Sequence, residues 1–139
     1  MNQKVADVMT PDPVTIEREQ SVAEAAQLMA NDDIGDIIVL DNGTVTGILT
    51  DRDIVIRLVA AGKDAGSKIS DIVSESELIT VSPDTAIEQA VGLMRQHSVR
   101  RLPVLRKGRA VGVISLGDLA IERDDTSALA DISAALGNN

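Results

Sequence analysis

Two short stretches of the chain place a hydroxyl side chain three residues before an aspartate. They are GILTDRD at residues 47–53 and GVISLGD at residues 112–118. A hydroxyl at the N-cap with an acid three positions later is an arrangement that opens a helix. The same two side chains also offer oxygen atoms to a ligand, and one aspartate could serve both purposes. The repeated pattern therefore predicts two helix starts, a ligand site that is built twice, or both.

The repetition extends over most of the chain. When residues 14–57 are aligned with residues 79–122, at an offset of 65, ten of the 44 pairs are identical. Average residue usage would give about three identical pairs by chance. At an offset of 64, VADVM (5–9) faces ISDIV (69–73). We therefore expect two repeats, at residues 1–62 and 69–123, joined by a linker at residues 63–68.

Each repeat has the predicted order β-α-β-β-α. The first helix of each repeat has apolar residues at helical spacing and a capping box, Ser21 with Glu24 and Thr85 with Glu88. Asn42-Gly43 and Lys107-Gly108 mark tight reversals between the second and third strands. The predicted strands cover 13–16, 36–49 with its turn, 78–81 and 101–114 with its turn; the predicted helices cover 21–32, 54–62, 85–96, 119–123 and the tail 124–139.

The predicted fold class is α+β. Residues 37–40 are all hydrophobic, and strands of this kind are usually covered on both faces. We therefore expect the two repeats to pack sheet-to-sheet about a pseudo-twofold axis, with one cleft on each side of the axis.

Composition excludes several functional classes. The net charge of −9 and the absence of aromatic residues argue against a nucleic-acid partner, and the absence of cysteine excludes disulfides and thiolate chemistry. No apolar run approaches the length of a membrane span, and the first residues lack the apolar core of a signal peptide, so we expect a cytoplasmic protein with no membrane partner. No catalytic motif is present. We expect no catalytic residues, no metal site and no catalytic cofactor.

The repeated unit resembles a known family. Two β-α-β-β-α copies that each end in G-h-[TS]-x-x-D are similar to a tandem pair of cystathionine-β-synthase (CBS) domains, called a Bateman module. VADVMT, HSVRRLPVL and LTDRDIVIR are of the same type, and the resemblance covers residues 4–123. It implies a regulatory module that binds adenosyl ligands (AMP, ADP, ATP or S-adenosylmethionine) between the repeats. The motif aspartate would accept hydrogen bonds from the ribose hydroxyls, and the module would act in trans on an unidentified effector protein.

The resemblance also implies two crossed clefts. Cleft A would contain Thr50, Arg52, Asp53, Ile79, Thr80, Val99, Arg100, Arg101, Leu102 and Pro103. Cleft B, which we expect to be weaker, would contain Val14, Thr15, Gly35, Asp36, Ile37, Ile38, Ser115 and Asp118. Guanidinium groups suit phosphate oxygens, and cleft B has Gly35 and Asp36 where cleft A has Arg100 and Arg101. We expect a phosphorylated adenosine ligand in A, and in B no ligand, a weak one, or an uncharged or cationic adenosyl group.

Plainer interpretations remain open at these positions. In these interpretations the two T/S-x-x-D pairs are helix caps alone, and Arg100 with Arg101 forms only surface ion pairs. The second helix of the first repeat carries Ile54, Val55, Leu58 and Val59, which offer a face for a homodimer. The alternative function is therefore a structural homodimer that binds no ligand.

Overall fold

A computed structural model describes residues 3–73 and 78–123, and it has the predicted α+β architecture. The helix expected over 124–139 lies outside the described residues. In chain order the elements are α1 (Val5–Val8), β1 (Thr10–Pro11), β2 (Thr15–Glu17), α2 (Val22–Asp32), β3 (Asp36–Asp41), β4 (Thr44–Thr50), α3 (Asp51–Asp53) continued by a π-helix (Ile54–Val59), a 3-10 turn (Ile69–Asp71), α4 (Ile87–His97), β5 (Arg101–Arg106), β6 (Arg109–Ser115) and α5 (Leu116–Arg123).

The strands form two three-stranded sheets. In the first, β3 lies between β2, which is parallel to it, and β4, which is antiparallel. In the second, β6 lies between β1 and β5, and both pairings are antiparallel. The strand expected at 78–81 is reduced to one parallel bridge between Val81 and Val104, and β1 was not foreseen from the sequence.

Both hairpins reverse where the sequence predicts. The φ angles are 52° and 85° at Asn42 and Gly43, and 52° and 79° at Lys107 and Gly108. Two consecutive residues with positive φ define a type I′ turn, which matches the twist of the flanking strands. The two hairpins therefore share one backbone conformation, whatever their side chains.

The described residues group into two compact units. Of the described residues, the repeat-1 unit contains 14–73 and Leu78, and the repeat-2 unit contains 3–13 together with 79–123. This grouping differs from the sequential repeats 1–62 and 69–123, because residues 3–13 pack with the second repeat and residues 69–73 with the first. Val5 and Ile69, each 0% exposed, are the residues that these segments insert into the two cores.

The two inserted segments are held in the same way. Val5 N–H donates to the Thr85 carbonyl at 2.8 Å, next to an isolated bridge between Lys4 and Ala86. In the repeat-1 unit, Ile69 N–H donates to the Gln20 carbonyl at 2.9 Å, beside a bridge between residues 21 and 68. Each unit thus receives an equivalent segment from outside its own β-α-β-β-α repeat, in which one extended residue, Lys4 or Lys68, leads into a short helical turn.

The two cores are built from equivalent positions. Each has the apolar face of the long helix, alternate residues of the hairpin and the inserted segment. The repeat-1 core contains Ile16, Val22, Ala25, Met29, Ile37, Val39, Leu49, Leu58, Ile69 and Ile72. The repeat-2 core contains Val5, Val81, Ile87, Ala90, Met94, Leu102, Val104, Ile114 and Leu119.

The predicted capping of the two long helices holds in part for one of them. Ser21 Oγ accepts the Glu24 N–H at 3.2 Å, as the sequence predicts, but Glu24 Oε1 accepts the Ser21 hydroxyl at 3.3 Å instead of the Ser21 N–H, so only half of the predicted capping box forms. The prediction for Thr85 is wrong: α4 begins after Ala86, which has no side-chain cap, and Thr85 Oγ1 accepts the Ser82 N–H at 3.0 Å. Thr85 therefore stabilises the turn that precedes α4 and does not cap the helix.

The helix after the first motif also differs from the expected span of 54–62. It starts at Asp51 and continues as a π-helix over Ile54–Val59. Leu58 is buried in the core, whereas Val55, Ile56 and Val59 are 59%, 46% and 66% exposed. Among the described residues, no helix is both long and apolar enough to cross a membrane.

Candidate ligand-binding sites

Both T/S-x-x-D motifs form reciprocal capping boxes. Thr50 Oγ1 accepts the Asp53 N–H at 3.1 Å, and Asp53 Oδ2 accepts the Thr50 N–H at 2.9 Å. Ser115 and Asp118 make the same two bonds at 3.1 and 2.9 Å. The capping interpretation is therefore confirmed in both units, and each aspartate is held in a fixed orientation at a strand-to-helix junction.

Capping leaves these carboxylates with further acceptor capacity. A carboxylate offers about four lone-pair positions on two oxygens, and the cap bond occupies one of them. Both aspartates are half-buried rather than enclosed. Asp53 Oδ1 lies 3.8 Å from Arg57 Nε, a long and partly exposed ion pair. Either aspartate can therefore accept hydrogen bonds from ligand hydroxyl groups while it caps its helix.

Strand pairing in the repeat-2 unit places two arginines beside the second motif. Arg101 and Ser115 are Cα partners at the end of the β5–β6 pair, and Leu116 N–H donates to the Arg100 carbonyl at 2.8 Å. Arg100 is exposed and Arg101 is half-buried. The backbone of Arg100 and Arg101 thus lies beside the backbone of Ser115 and Leu116, at the start of the second motif.

Apolar residues complete this part of the repeat-2 unit. Val81 N–H donates to the Pro103 carbonyl of β5 at 3.1 Å. Ile79 and Thr80 directly precede this contact along the chain. Leu102 and Pro103 are buried, whereas Ile79, Thr80 and Val99 are half-buried. The residues of the predicted sites that this unit contains are Ile79, Thr80, Val99, Arg100, Arg101, Leu102, Pro103, Ser115 and Asp118.

The repeat-1 unit has the equivalent arrangement with different chemistry. Asp36 is the Cα partner of Thr50, and Asp51 N–H donates to the Gly35 carbonyl at 3.0 Å. The β2 strand approaches from the other side, since Ile38 N–H donates to the Val14 carbonyl at 3.0 Å. The residues of the predicted sites in this unit are Val14, Thr15, Gly35, Asp36, Ile37, Ile38, Thr50, Arg52 and Asp53.

Each unit thus brings its own motif together with its own β-strand residues. Clefts A and B instead combine residues of both units, and these groupings stay predictions. The turn at Lys107-Gly108 pairs Arg106 with Arg109, and a β-bulge between Val104 and Leu105 then shifts the register by one residue, so that Arg101 lies opposite Ser115 instead of Ile114. The turn residues do not reveal this bulge, so the sequence did not predict the pairing.

The two motifs have different electrostatic surroundings. In the repeat-1 unit the side chains of Asp36, Asp51 and Asp53 accompany Arg52 and Arg57, so carboxylates outnumber guanidinium groups. In the repeat-2 unit Arg100 and Arg101 stand where the repeat-1 unit has Gly35 and Asp36, and Leu116 and Gly117 stand where it has Asp51 and Arg52. A phosphate group is better matched by the repeat-2 arrangement. Within residues 3–73 and 78–123, no three acidic, histidine or cysteine side chains cluster as a metal site would require.

The chain belongs to the CBS domain family. The family model matches residues 5–60 and 69–124, which are the two repeats. The chain is 40% identical to the CBS domain-containing protein YhcV of Bacillus subtilis over 133 residues, covering 93% of this chain and 94% of YhcV. It is 32% identical to hypoxic response protein 1 of Mycobacterium tuberculosis over 115 residues, covering 82% of this chain and 80% of that protein.

Solved structures of CBS-domain proteins have the same fold. A CBS-domain protein from Burkholderia ambifaria matches with a TM-score of 0.80 and 27% identity, over 90% of this chain and 96% of that one. The CBS domain pair of protein MJ0100, solved with 5′-methylthioadenosine and S-adenosyl-L-methionine, matches with a TM-score of 0.80 and 23% identity, over 91% of this chain and 100% of that one. The tandem CBS interpretation of the sequence is therefore confirmed.

Proposed function

We propose that this protein is a regulatory module that binds a phosphorylated adenosyl ligand, such as AMP, ADP or ATP, at the second motif. The observation that carries the proposal is the pairing of β5 with β6, which sets Arg101 opposite Ser115 and Arg100 beside Leu116. A carboxylate oriented by its cap and two guanidinium groups then lie on adjoining segments of one unit. Ribose hydroxyls and phosphate oxygens are the ligand groups that match them.

Each part of the ligand would have its own partner. Asp118 would accept hydrogen bonds from the ribose, and Arg100 with Arg101 would donate to phosphate oxygens. The adenine would rest on aliphatic side chains, Ile79 and Leu102 among them. Stacking of a base on an aromatic side chain contributes about 1–3 kcal/mol, and this chain has no aromatic residue. We therefore expect a modest affinity that depends strongly on the charged groups.

The first motif would bind a different ligand or bind more weakly. Gly35 and Asp36 stand where the second motif has Arg100 and Arg101, so a phosphate would meet a carboxylate instead of a guanidinium group. An uncharged or cationic adenosyl group, such as that of S-adenosylmethionine, would avoid this repulsion. A CBS pair of the same fold holds S-adenosylmethionine and 5′-methylthioadenosine, which supports the proposal at the level of the fold.

The test is calorimetry with AMP, ADP, ATP and S-adenosylmethionine on the wild type and on two matched variants. Asp118→Ala and Asp53→Ala each remove one carboxylate that accepts the N-cap N–H at 2.9 Å, so both lose the same cap bond. We expect Asp118→Ala to weaken the binding of AMP at least about tenfold, as the loss of one charge-assisted hydrogen bond predicts. Asp53→Ala should leave it nearly unchanged. The reverse result would favour cleft A, in which Thr50, Arg52 and Asp53 share the ligand with Arg100 and Arg101.

The output would be regulation in trans. Binding regulates only if the ligand favours one arrangement of the protein over another, and that arrangement must change a surface that a partner recognises. The effector protein is unidentified, and we propose no catalytic role. Affinity capture from the native cells with and without AMP tests this step: a partner whose recovery changes with AMP supports regulation, and identical recovery opposes it.

The second candidate function is a homodimer that binds no ligand. The exposed faces of Val55, Ile56 and Val59 favour self-association, since these apolar side chains are 59%, 46% and 66% exposed. Replacing Val55 and Val59 with aspartate should convert a dimer to a monomer in light scattering. If the wild type dimerises and calorimetry detects no adenosyl ligand, this second candidate is the better account.

A further inference from the structure

The tips of the two β-hairpins have the same backbone but opposite charge. In the repeat-1 unit the tip is Asp41-Asn42-Gly43-Thr44, and in the repeat-2 unit it is Arg106-Lys107-Gly108-Arg109. Each tip is the same type I′ turn, with φ angles of 52° and 85° in one and 52° and 79° in the other. The central N–H groups of such a turn point away from the strands and are available to an acceptor outside the hairpin.

In the repeat-1 unit these two N–H groups hold a carboxylate. Glu17 Oε1 accepts the Asn42 N–H at 2.8 Å, and Glu17 Oε2 accepts the Gly43 N–H at 3.3 Å. Consecutive backbone N–H groups in a turn form a concave site for an anion. The first hairpin therefore shows that this turn binds an oxyanion through both of its oxygens.

The repeat-2 unit has the same scaffold without that carboxylate. Val81 bridges to Val104 as Ile16 pairs with Val39, so Ser82 occupies the position of Glu17. Its hydroxyl lies 3.1 Å from Thr85 Oγ1. Among the hydrogen bonds of residues 3–73 and 78–123, none brings a carboxylate to the N–H groups at 107 and 108.

Cations are gathered around the second tip. Arg106, Lys107 and Arg109 are all exposed, and Arg106 and Arg109 are Cα partners directly across the hairpin. Like charges directly opposite each other destabilise a strand pair. Within the described residues, none of the three takes part in a salt bridge. Folding alone therefore gives no reason for this concentration of charge, and an anionic ligand would.

We propose that the hairpin tip at residues 106–109 binds a phosphate group. The N–H groups of Lys107 and Gly108 would hold two of its oxygens as Asn42 and Gly43 hold Glu17, and the three cationic side chains would balance its charge. A single carboxylate needs only the two N–H groups, as the first hairpin shows. The additional cations fit a dianion.

This site is separate from the proposed nucleotide site. Arg101 and Arg106 are at opposite ends of β5, about 17 Å apart for five residues of extended strand. A variant at Arg100 or Asp118 therefore tests the nucleotide site without altering the hairpin tip. Failure of either proposal leaves the other standing.

The experiment is a titration with inorganic phosphate, followed by NMR at the backbone N–H groups of Lys107 and Gly108. Two exchanges between the repeats serve as matched variants. Ser82→Glu supplies the carboxylate that the first hairpin has, and Glu17→Ser removes it there without adding cations. Arg100→Gln is a control for phosphate binding at the nucleotide site. Phosphoserine and a peptide of glutamates are titrated in parallel to distinguish the source of the oxyanion.

We expect saturable shifts at Lys107 and Gly108 that weaken with added salt. Ser82→Glu should weaken phosphate binding at least about tenfold, because its carboxylate competes for the two N–H groups. Arg100→Gln should leave the shifts unchanged, and Glu17→Ser should create no comparable shifts at residues 42 and 43. Stronger shifts with phosphoserine than with free phosphate would identify a phosphorylated protein as the source. No saturable shift, unchanged binding in Ser82→Glu, or tighter binding of the glutamate peptide than of either phosphate would overturn the proposal.

Discussion

The two units share their framework but differ at both ends of the central hairpin. The capping boxes of the two motifs, the hairpin turns and most core positions correspond between the units. At the motif end, Gly35 and Asp36 in one unit correspond to Arg100 and Arg101 in the other, and at the tip Asp41 corresponds to Arg106. The two units therefore have the same hairpin backbone, but the side chains at the two ends of the hairpin are acidic or uncharged in one unit and basic in the other.

This difference separates what folds the unit from what it can bind. Both aspartates form the same cap bonds at 2.9 Å, so capping is common to the two units and gives no distinction between them. Arg100 and Arg101, in contrast, have Gly35 and Asp36 at the equivalent positions of the repeat-1 unit. Charged residues that differ between the two repeats at equivalent backbone positions therefore indicate ligand binding better than the shared capping aspartates do.

The largest expected effect concerns the two segments, residues 3–13 and 69–73, that insert into the two cores. Ile69→Ala should destabilise the repeat-1 unit by about 2–4 kcal/mol, and Val5→Ala should destabilise the repeat-2 unit by a smaller amount, because both side chains are 0% exposed. Urea unfolding followed by circular dichroism measures both effects. Val55→Ala, at 59% exposed, is the matched control and should change the free energy of unfolding little. Equal effects for Val5→Ala and Val55→Ala would refute the assignment of residues 3–13 to the second core.

A smaller effect is expected where β1 crosses β6. A Cβ atom on Gly112 would lie 2.6 Å from Met9 Sδ and 2.8 Å from the Thr10 carbonyl oxygen, and the backbone oxygen cannot move cheaply. Gly112→Ala should therefore cost about 1–3 kcal/mol of the free energy of unfolding. Thermal unfolding of Gly92→Ala is the control. That glycine has nothing within 4 Å of an added Cβ, and alanine in a helix should stabilise it. A stable Gly112→Ala would contradict the pairing of Pro11 with Gly112.

The smallest effect concerns two equivalent ion pairs at the inserted segments. Lys68 Nζ lies 2.8 Å from Glu19 Oε2, whereas Lys4 and Asp84 are 3.9 Å apart. The hydrogen bond and charge of Lys68 lower the pKa of Glu19, and those of Glu19 raise the pKa of Lys68. Stability from this pair is therefore present between the ordinary pKa values of the two groups. It is lost as the pH falls through the lowered pKa of Glu19 or rises through the raised pKa of Lys68.

Unfolding midpoints measured across acid pH check this pair. Glu19→Gln should slightly flatten the loss of stability in acid, because it removes the carboxylate whose pKa is lowered. The Glu19 and Lys68 side chains are exposed, so added salt should reduce the effect. An acid profile of Glu19→Gln identical to that of the wild type would contradict a contribution from this pair.

Much of the fold was predictable from the internal repeat. The offset of 65 predicted both hairpins and their turns, the two long helices and the apolar positions of both cores. The exchange of segments was not predictable, because Val5 and Ile69 are equally apolar and either would fill either core. The capping role given to Thr85 was wrong because its hydroxyl bonds the Ser82 N–H instead.

The sequence predicted the local contacts of the motifs, whereas the binding roles of the site residues and their grouping into clefts stay predictions. The paired motifs identified Asp53 and Asp118, and the capping bonds were expected at both. The assignment of Arg100 and Arg101 to a crossed cleft followed from the family resemblance alone. The hairpin pairing, which depends on hydrogen bonds rather than on residue type, places them beside Ser115 within one unit.

The central claim is that Arg100 donates hydrogen bonds to the phosphate of a ligand bound at the second motif. The direct measurement is an AMP titration of the Arg100→Gln variant, read by NMR at the backbone N–H groups of both motifs. We predict that the response at Ser115 and Asp118 weakens at least about tenfold, while any response at Thr50 and Asp53 is unchanged. A response that is lost at Thr50 and Asp53 and retained at Ser115 and Asp118 would contradict the account.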